Sequence, residues 1–295
     1  MADIGKLAAF ICARNAGDQQ CGYVGSTLED VMHDLSDGME EASLVLYEGE
    51  RITGAIILDI YDVGGGQKDI EVWGPYYSAH PEEELQRLFN YLSETAQAGA
   101  IMYVHLFISG DNTALIEYVA RYRAEKVNTH YHYSIAIASA PDNIRRMHPG
   151  LSILPVTEPA SRWTGEILDL HNQQFQGAIL TPEEITAEIE DSSNSEYDVQ
   201  AVLNEGRFTG YIIVRRNART GTLHLEYLCI RPEERGRGIG RQLIACLAEK
   251  YKGLGYSGIS LVVGEENTAA IRFYDKNGFT MDRVMKHILI GGGMF

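Results

Sequence analysis

The stretch Ile230-Arg231-Pro232-Glu233-Glu234-Arg235-Gly236-Arg237-Gly238-Ile239-Gly240-Arg241-Gln242-Leu243 points more directly to chemistry than any other part of this sequence. A β-patterned segment leads into it, and a helical stripe of Ile239, Leu243, Ile244 and Leu247 leads out. Three alternate glycines let successive backbone amides turn toward one point at a helix start. Unpaired N–H groups and the helix dipole favour an anion there, such as a pyrophosphate. A P-loop would end in Gly-Lys-Ser/Thr, and a dinucleotide fingerprint would carry its third glycine later, so neither template fits.

In this strand, loop and helix setting, Arg235-Gly236-Arg237-Gly238-Ile239-Gly240 resembles the Arg/Gln-x-x-Gly-x-Gly/Ala signature of the GNAT superfamily of N-acetyltransferases. The resemblance runs from about Glu166 to the C-terminus. It takes in Glu226-Tyr227-Leu228-Cys229-Ile230-Arg231-Pro232 and the later Asn267-Thr268-Ala269-Ala270-Ile271-Arg272-Phe273-Tyr274-Asp275-Lys276-Asn277-Gly278-Phe279. It implies a mixed α/β sheet whose parallel fourth and fifth strands splay apart to admit the pantetheine arm of an acyl-CoA, with acetyl-CoA as donor. The amides of Arg235 to Gly240 would hold the pyrophosphate, and Arg231, Arg237 and Arg241 would reach the ribose phosphate. Leu228 and Ile230 would flank the arm, with the Leu228 backbone polarising the thioester carbonyl. The resemblance also gives Asn267 a hydrogen bond to pantetheine or substrate, and gives Tyr274 the protonation of the departing thiolate.

Amide formation needs a base, because an alkylamine with pKa ~10.4 is protonated at neutral pH, and a carboxylate acting through water can remove that proton. Glu226 is the first candidate and His224, two residues further from the loop, the alternative. Strand alternation puts His224, Glu226, Leu228 and Ile230 on one side. Asn267 is equally a good helix N-cap.

The elements that must position these residues come in two copies. Arg51-Ile52-Thr53-Gly54-Ala55-Ile56-Ile57 reappears as Arg207-Phe208-Thr209-Gly210-Tyr211-Ile212-Ile213, and Asp111-Asn112-Thr113-Ala114 as Glu266-Asn267-Thr268-Ala269. The repeat predicts two tandem domains, 1–140 and 151–295, joined by a linker at 141–150 that contains Pro141, Pro149 and Gly150. In the second copy the patterns predict strands at 153–156, 197–203, 207–215, 223–230 and 258–263. Helices are predicted at 160–175, 182–190, 239–251 and 268–276, with terminal strands after them. Thr181 and Glu184 form a capping box around Pro182.

Moving back by the repeat, the glycine loop falls on His80-Pro81-Glu82-Glu83-Glu84-Leu85 and Tyr274 on Val119. Three carboxylates and a proline without an N–H oppose a pyrophosphate, so the first copy reads as a degenerate, structural or substrate-shaping partner.

The net charge of −16 divides unevenly, with 22 acidic and 10 basic residues up to Gly150 and 19 and 15 after it. Such acidity disfavours nucleic acid and anionic membranes. It favours a cationic acceptor, a primary amine on a small molecule, a peptide N-terminus or a lysine. No segment reaches the length of a membrane span, and Leu7 to Ala13 reads as an amphipathic helix rather than a secretory signal. Four cysteines without metal spacing fit a reducing cytoplasm, and His130 and His132 lack a third ligand, so no metal is expected. A non-catalytic acyl-CoA sensor or regulatory module is the competing function.

Overall fold

The computed structural model describes residues 3–25, 27–36, 43–78, 80–140, 150–175, 180–193 and 196–295. The predicted linker lies outside the described residues except for Gly150. The chain forms two compact units. One comprises residues up to Tyr131 together with Arg283–Phe295, and the other His132–Asp282. The repeat places its boundary in the linker, whereas the first unit also takes in the last 13 residues of the chain.

In the first unit, α1 (Ile4–Asn15) and α2 (Leu28–Ser36) precede strands β1 (Ser43–Glu48), β2 (Arg51–Gly64) and β3 (Gln67–Tyr77). Helix α3 (Pro81–Ala98), strand β4 (Ile101–Ser109), helix α4 (Thr113–Val119) and β5 (Ala124–Ala136) follow, with β5 passing into the second unit at His132. Strands β1 to β3 form an antiparallel meander, and β4 lies parallel to β3. Leu7, Ala8 and Ile11 are buried on one face of α1, as the amphipathic reading expects.

The second unit contains β6 (Leu151–Pro155), α5 (Arg162–Gln174), α6 (Pro182–Ser193), β7 (Tyr197–Asn204), β8 (Arg207–Asn217) and β9 (Thr222–Ile230). Helix α7 (Ile239–Lys252), strand β10 (Gly258–Gly264) and helix α8 (Thr268–Lys276) follow. A mixed α/β fold is thus present, with limits within a few residues of those predicted. One strand, β11 (Thr280–Gly291), stands where terminal strands were expected. Its later part, Met285–Gly291, pairs antiparallel with β4 in the first unit.

The local signals act as chemistry requires. Thr181 N–H donates to Glu184 Oε2 (2.7 Å) and Glu184 N–H to Thr181 Oγ1 (3.2 Å), closing the capping box at the start of α6. Ile167, Leu170, Ile185 and Ile189 turn from α5 and α6 onto Val199, Tyr211, Ile213 and Cys229 of the sheet. Ile239 and Leu243 of α7 pack with Leu228 and Ile230 on another cluster. Among the described residues, no helix is long and apolar enough to cross a membrane.

Candidate active site

Strand β9 carries most of the residues singled out above, and its pairing on the β10 side ends early. The parallel ladder holds Thr222 with Gly258, Leu223 with Ile259 and His224 with Ser260, and goes no further. Beyond His224 the two strands part, so the edge from Glu226 to Ile230 has no ladder partner on that side. On the other side, Arg231 N–H donates to Thr209 O of β8 (2.8 Å). Because strand amides alternate in direction, the N–H groups of Ile230 and Leu228 point into the opening.

Glu226 is the extra residue of a β-bulge. Ile213 of β8 faces Tyr227 and Val214 faces Leu225, leaving Glu226 without an opposite number. A bulge shifts the phase of the side chains and re-aims the residue it inserts. The expected single face of His224, Glu226, Leu228 and Ile230 is therefore corrected. Leu228 and Ile230 pack toward α7, whereas Glu226 bonds Arg215, which alternates along β8 with Tyr211 and Ile213 on the face that α5 and α6 cover.

In the loop, Gly236 has φ 76° and Gly238, the N-cap of α7, has φ 80°, values that side chains with a Cβ rarely adopt. A Cβ at either position would meet nothing within 4 Å, so the space beside them is open. The third glycine serves another purpose. A Cβ on Gly240 would sit 3.0 Å from Phe273 Cζ, so its smallness lets the α8 ring lie against α7. The amides of Gly236, Arg237, Gly238, Ile239 and Gly240 have no acceptor among the described residues, as befits a loop that runs into a helix start. Arg235 differs, because its N–H donates to Pro232 O (3.3 Å) and its guanidinium bonds Ile230 O and Gln174 Oε1.

Of the arginines assigned to a ribose phosphate, Arg231 is held by Glu166 (2.7 Å) and Phe208 O (3.1 Å), and Arg237 reaches Glu234 (2.9 Å) at the surface. Arg241 is exposed on the first turn of α7.

Glu226 Oε1 accepts from Arg215 Nε at 3.0 Å, and its Oε2 lies 3.9 Å from His224 Nε2. Burial raises the Glu226 carboxyl above its ordinary value, against the pull of Arg215. Burial lowers His224 to about 4, helped by Arg215 and His132, so its imidazole is neutral near pH 7 and a weak base. Its Nδ1 lies 3.1 Å from Ser260 Oγ.

A residue not foreseen from the sequence joins this group. Glu188 has a fully buried Oε2 without a hydrogen-bond partner, and its carboxyl is pushed up to about 7 by burial and by the charges of Glu226 and Glu184. A signal was available, since Glu188 interrupts the apolar stripe that Ile185 and Ile189 make on α6.

Tyr274 stands in α8 against the rings of Tyr133, Phe273 and Phe279, its phenol raised by burial, and no hydrogen bond links it to Glu226 or His224. Asn267 caps α8 by accepting from Ala270 N–H (3.1 Å). Among the described residues no cluster of His, Cys, Asp or Glu is arranged for a metal, and the four cysteines are free thiols.

The first unit fills the corresponding places with its own atoms. Pairing of β3 with β4 ends at Val72 and Leu106, and residues 19–22 enter beyond it. Gly22 N–H donates to Phe107 O (2.7 Å) and Ser109 N–H to Gln20 O (2.8 Å). The Gln19 amide both accepts from Tyr77 N–H (2.9 Å) and donates to Tyr77 O (3.1 Å). At the start of α3, Glu84 Oε2 accepts from Ser78 N–H (2.8 Å) and His80 N–H (3.3 Å), an internal anion where the second unit has open amides. No extra residue corresponds to Glu226, because Ile57 faces Trp73 and Leu58 faces Val72 without a bulge between them.

A Cβ on Gly22 would lie 2.0 Å from Phe107 Cδ1. Gly22→Val is expected to cost about 1–3 kcal/mol, lowering the thermal midpoint by roughly 3–10 °C. Acetyl-CoA affinity should be unchanged, and differential scanning fluorimetry with calorimetry checks both.

Residues 165–279 match the family model described as the acetyltransferase (GNAT) family. A GCN5-related N-acetyltransferase from Sphaerobacter thermophilus is similar over 99% of this chain and 93% of its own, at TM-score 0.72 and 16% identity. A tandem GNAT protein from the clavulanic acid biosynthesis pathway is similar over 98% and 95%, at TM-score 0.70 and 14% identity. A GNAT-family acetyltransferase from Colwellia psychrerythraea covers 98% of each chain at TM-score 0.58 and 12% identity. These likenesses establish a tandem GNAT fold. No curated protein sequence matches the chain significantly.

Proposed function

We propose that this chain, whose residues 165–279 match the acetyltransferase (GNAT) family, is an N-acetyltransferase using acetyl-CoA to modify a primary amine by direct attack. The observation that carries the reading is the meeting of open amides from Gly236 to Gly240 with the unpaired edge of β9. The amides hold the pyrophosphate, Arg237 and Arg241 reach the ribose phosphate, and the amides of Leu228 and Ile230 hold the pantetheine arm. Acetyl-CoA supplies the thioester that the amine attacks. Asn267 contributes a hydrogen bond to the arm or the acceptor.

Glu226 removes a proton from the amine through water, and the Leu228 N–H polarises the carbonyl. His224 is the alternative base, although its low basicity favours Glu226. Tyr274, still a phenol at neutral pH because burial raises it, gives a proton to the leaving thiolate. The first half, 1–140 by the repeat, is the degenerate partner and 151–295 the catalytic half. The enzyme works in the cytoplasm.

Calorimetric titration with acetyl-CoA, alongside a free-thiol assay over a panel of amines, tests this. One site per chain and amine-dependent thiol release are expected. Absence of binding would reduce the glycine loop to a tight turn and remove the transferase reading, and two sites per chain would return cofactor binding to the first half.

A further inference from the structure

Glu188 lies on the buried stripe of α6 between Ile185 and Ile189, both fully buried. That stripe packs on Tyr211, Ile213 and Cys229, with Tyr197 and Tyr227 beside them. Glu226 reaches the same face through Arg215, which alternates with Ile213 and Tyr211 along β8. The charges acting between Glu188 and its surroundings agree with this placement. Glu184 belongs to the same helix, Glu226 to β9, and the phenols of Tyr197, Tyr211 and Tyr227 to β7, β8 and β9. No lysine or arginine among the described residues bonds to it, because Arg215 is committed to Glu226 at 3.0 Å. The Tyr211 hydroxyl is engaged with His171 Nδ1 at 2.6 Å. A carboxylate oxygen closed off from water without a donor is costly to ionise, and a cation placed against it removes the cost.

We infer that Glu188 binds the ammonium group of the acceptor, so that the chain selects amines that arrive protonated and delivers them to Glu226 beside it. This rests on the acyltransferase reading above. The two carboxylates divide the work. Glu226, oriented by Arg215, takes the proton through water, and the nitrogen keeps its electron pair for the acyl carbon. Glu188, with its unpartnered oxygen, receives the positively charged head and fixes its position. The bulge matters to both, since it turns Glu226 toward α6.

Two readouts follow. The neutral form of Glu188 is favoured in the folded chain, its carboxyl being raised from 4.5 to about 7. Its stabilising contribution is therefore complete below 4.5 and lost as pH rises through about 7. Glu188→Gln, which imitates the neutral form, should gain in thermal midpoint on the parent protein between pH 5 and pH 8.

The second readout uses methylammonium chloride against potassium chloride at equal concentration and pH 8, followed by thermal midpoint. The parent should be stabilised by methylammonium beyond the potassium control, and Glu188→Gln should not. Equal response of the two proteins, or none in the parent, overturns the inference whether or not any acceptor has been found. In the thiol assay, with the most active of ethanolamine, putrescine, glucosamine and lysine, Glu188→Gln should raise the amine KM by about tenfold or more. The change in kcat should be much smaller. The KM of methoxyamine, uncharged at pH 7, should hold. Turnover with an unchanged KM for the cationic amine would sink this inference alone, whereas absence of acetyl-CoA binding would sink the acyltransferase reading.

Discussion

Gly238→Glu is expected to abolish measurable acetyl-CoA binding while leaving a folded protein. Two effects oppose one another in the free chain. A residue with a Cβ at φ 80° costs about 1–2 kcal/mol, and a carboxylate at a helix N-terminus returns about 0.3–1 kcal/mol. The space around Gly238 is open, so no clash adds to the balance, and the midpoint of unfolding should move little. Binding responds differently. At an effective dielectric of about 20, a carboxylate about 5 Å from one pyrophosphate charge is opposed by about 3 kcal/mol, on the order of a hundredfold in Kd. The new side chain can also accept from the amides the cofactor needs, as Glu84 already does at the start of α3. Gly238→Ala carries the strain without the charge and should lose far less. Calorimetry on the three proteins separates the contributions, and equal affinity of the glutamate variant would remove the loop from the cofactor site.

Glu226→Gln is expected to lower kcat by roughly 10²–10⁴, the usual weight of a general base, with acetyl-CoA affinity held within about twofold because the phosphate loop is untouched. Arg215 loses its partner, but its side chain is 48% exposed, so solvent screens the loss and the fold should tolerate it. Burial raises the Glu226 carboxyl. The basic form is then reached only as pH climbs through that raised value, so kcat should rise with pH on its acid side, and that limb should vanish in the variant. Stopped-flow thiol release across pH supplies the measurement. A parent protein that binds acetyl-CoA yet releases no thiol with any amine would instead favour the sensor reading.

How much of this was legible in the sequence depends on the range of the forces involved. The capping box at Thr181 and Glu184 acts over one helical turn, so Thr-Pro-x-Glu was enough to place the start of α6. The loop glycines 236 and 238 were equally readable, because a positive φ is a local property. Gly240 belongs to the same run but answers to Phe273, 33 residues away, so its purpose is tertiary. The bulge at Glu226 escaped for a similar reason, since period-two alternation assumes regular pairing and only the β8 register reveals the extra residue. Residues 19–22 show no strand pattern and become strand-like only against β4. Glu188 was legible in principle as an acid inside an apolar stripe, but acids on helices usually face water, and only its buried, unpartnered oxygen sets it apart.

The return of residues 283–295 to the first unit delays its folding as the chain is made. His132–Asp282 is continuous in sequence. The unit begun first must wait, since Ile288 and Ile290 belong to its core and Met285–Gly291 cover the edge of β4. At about 5–20 residues per second the delay after Tyr131 is roughly 8–30 s, during which β4 exposes an unpaired edge open to misassociation. Cutting the gene at the linker would make that delay permanent for the N-terminal piece, which should aggregate unless a peptide carrying residues 280–295 is supplied with it.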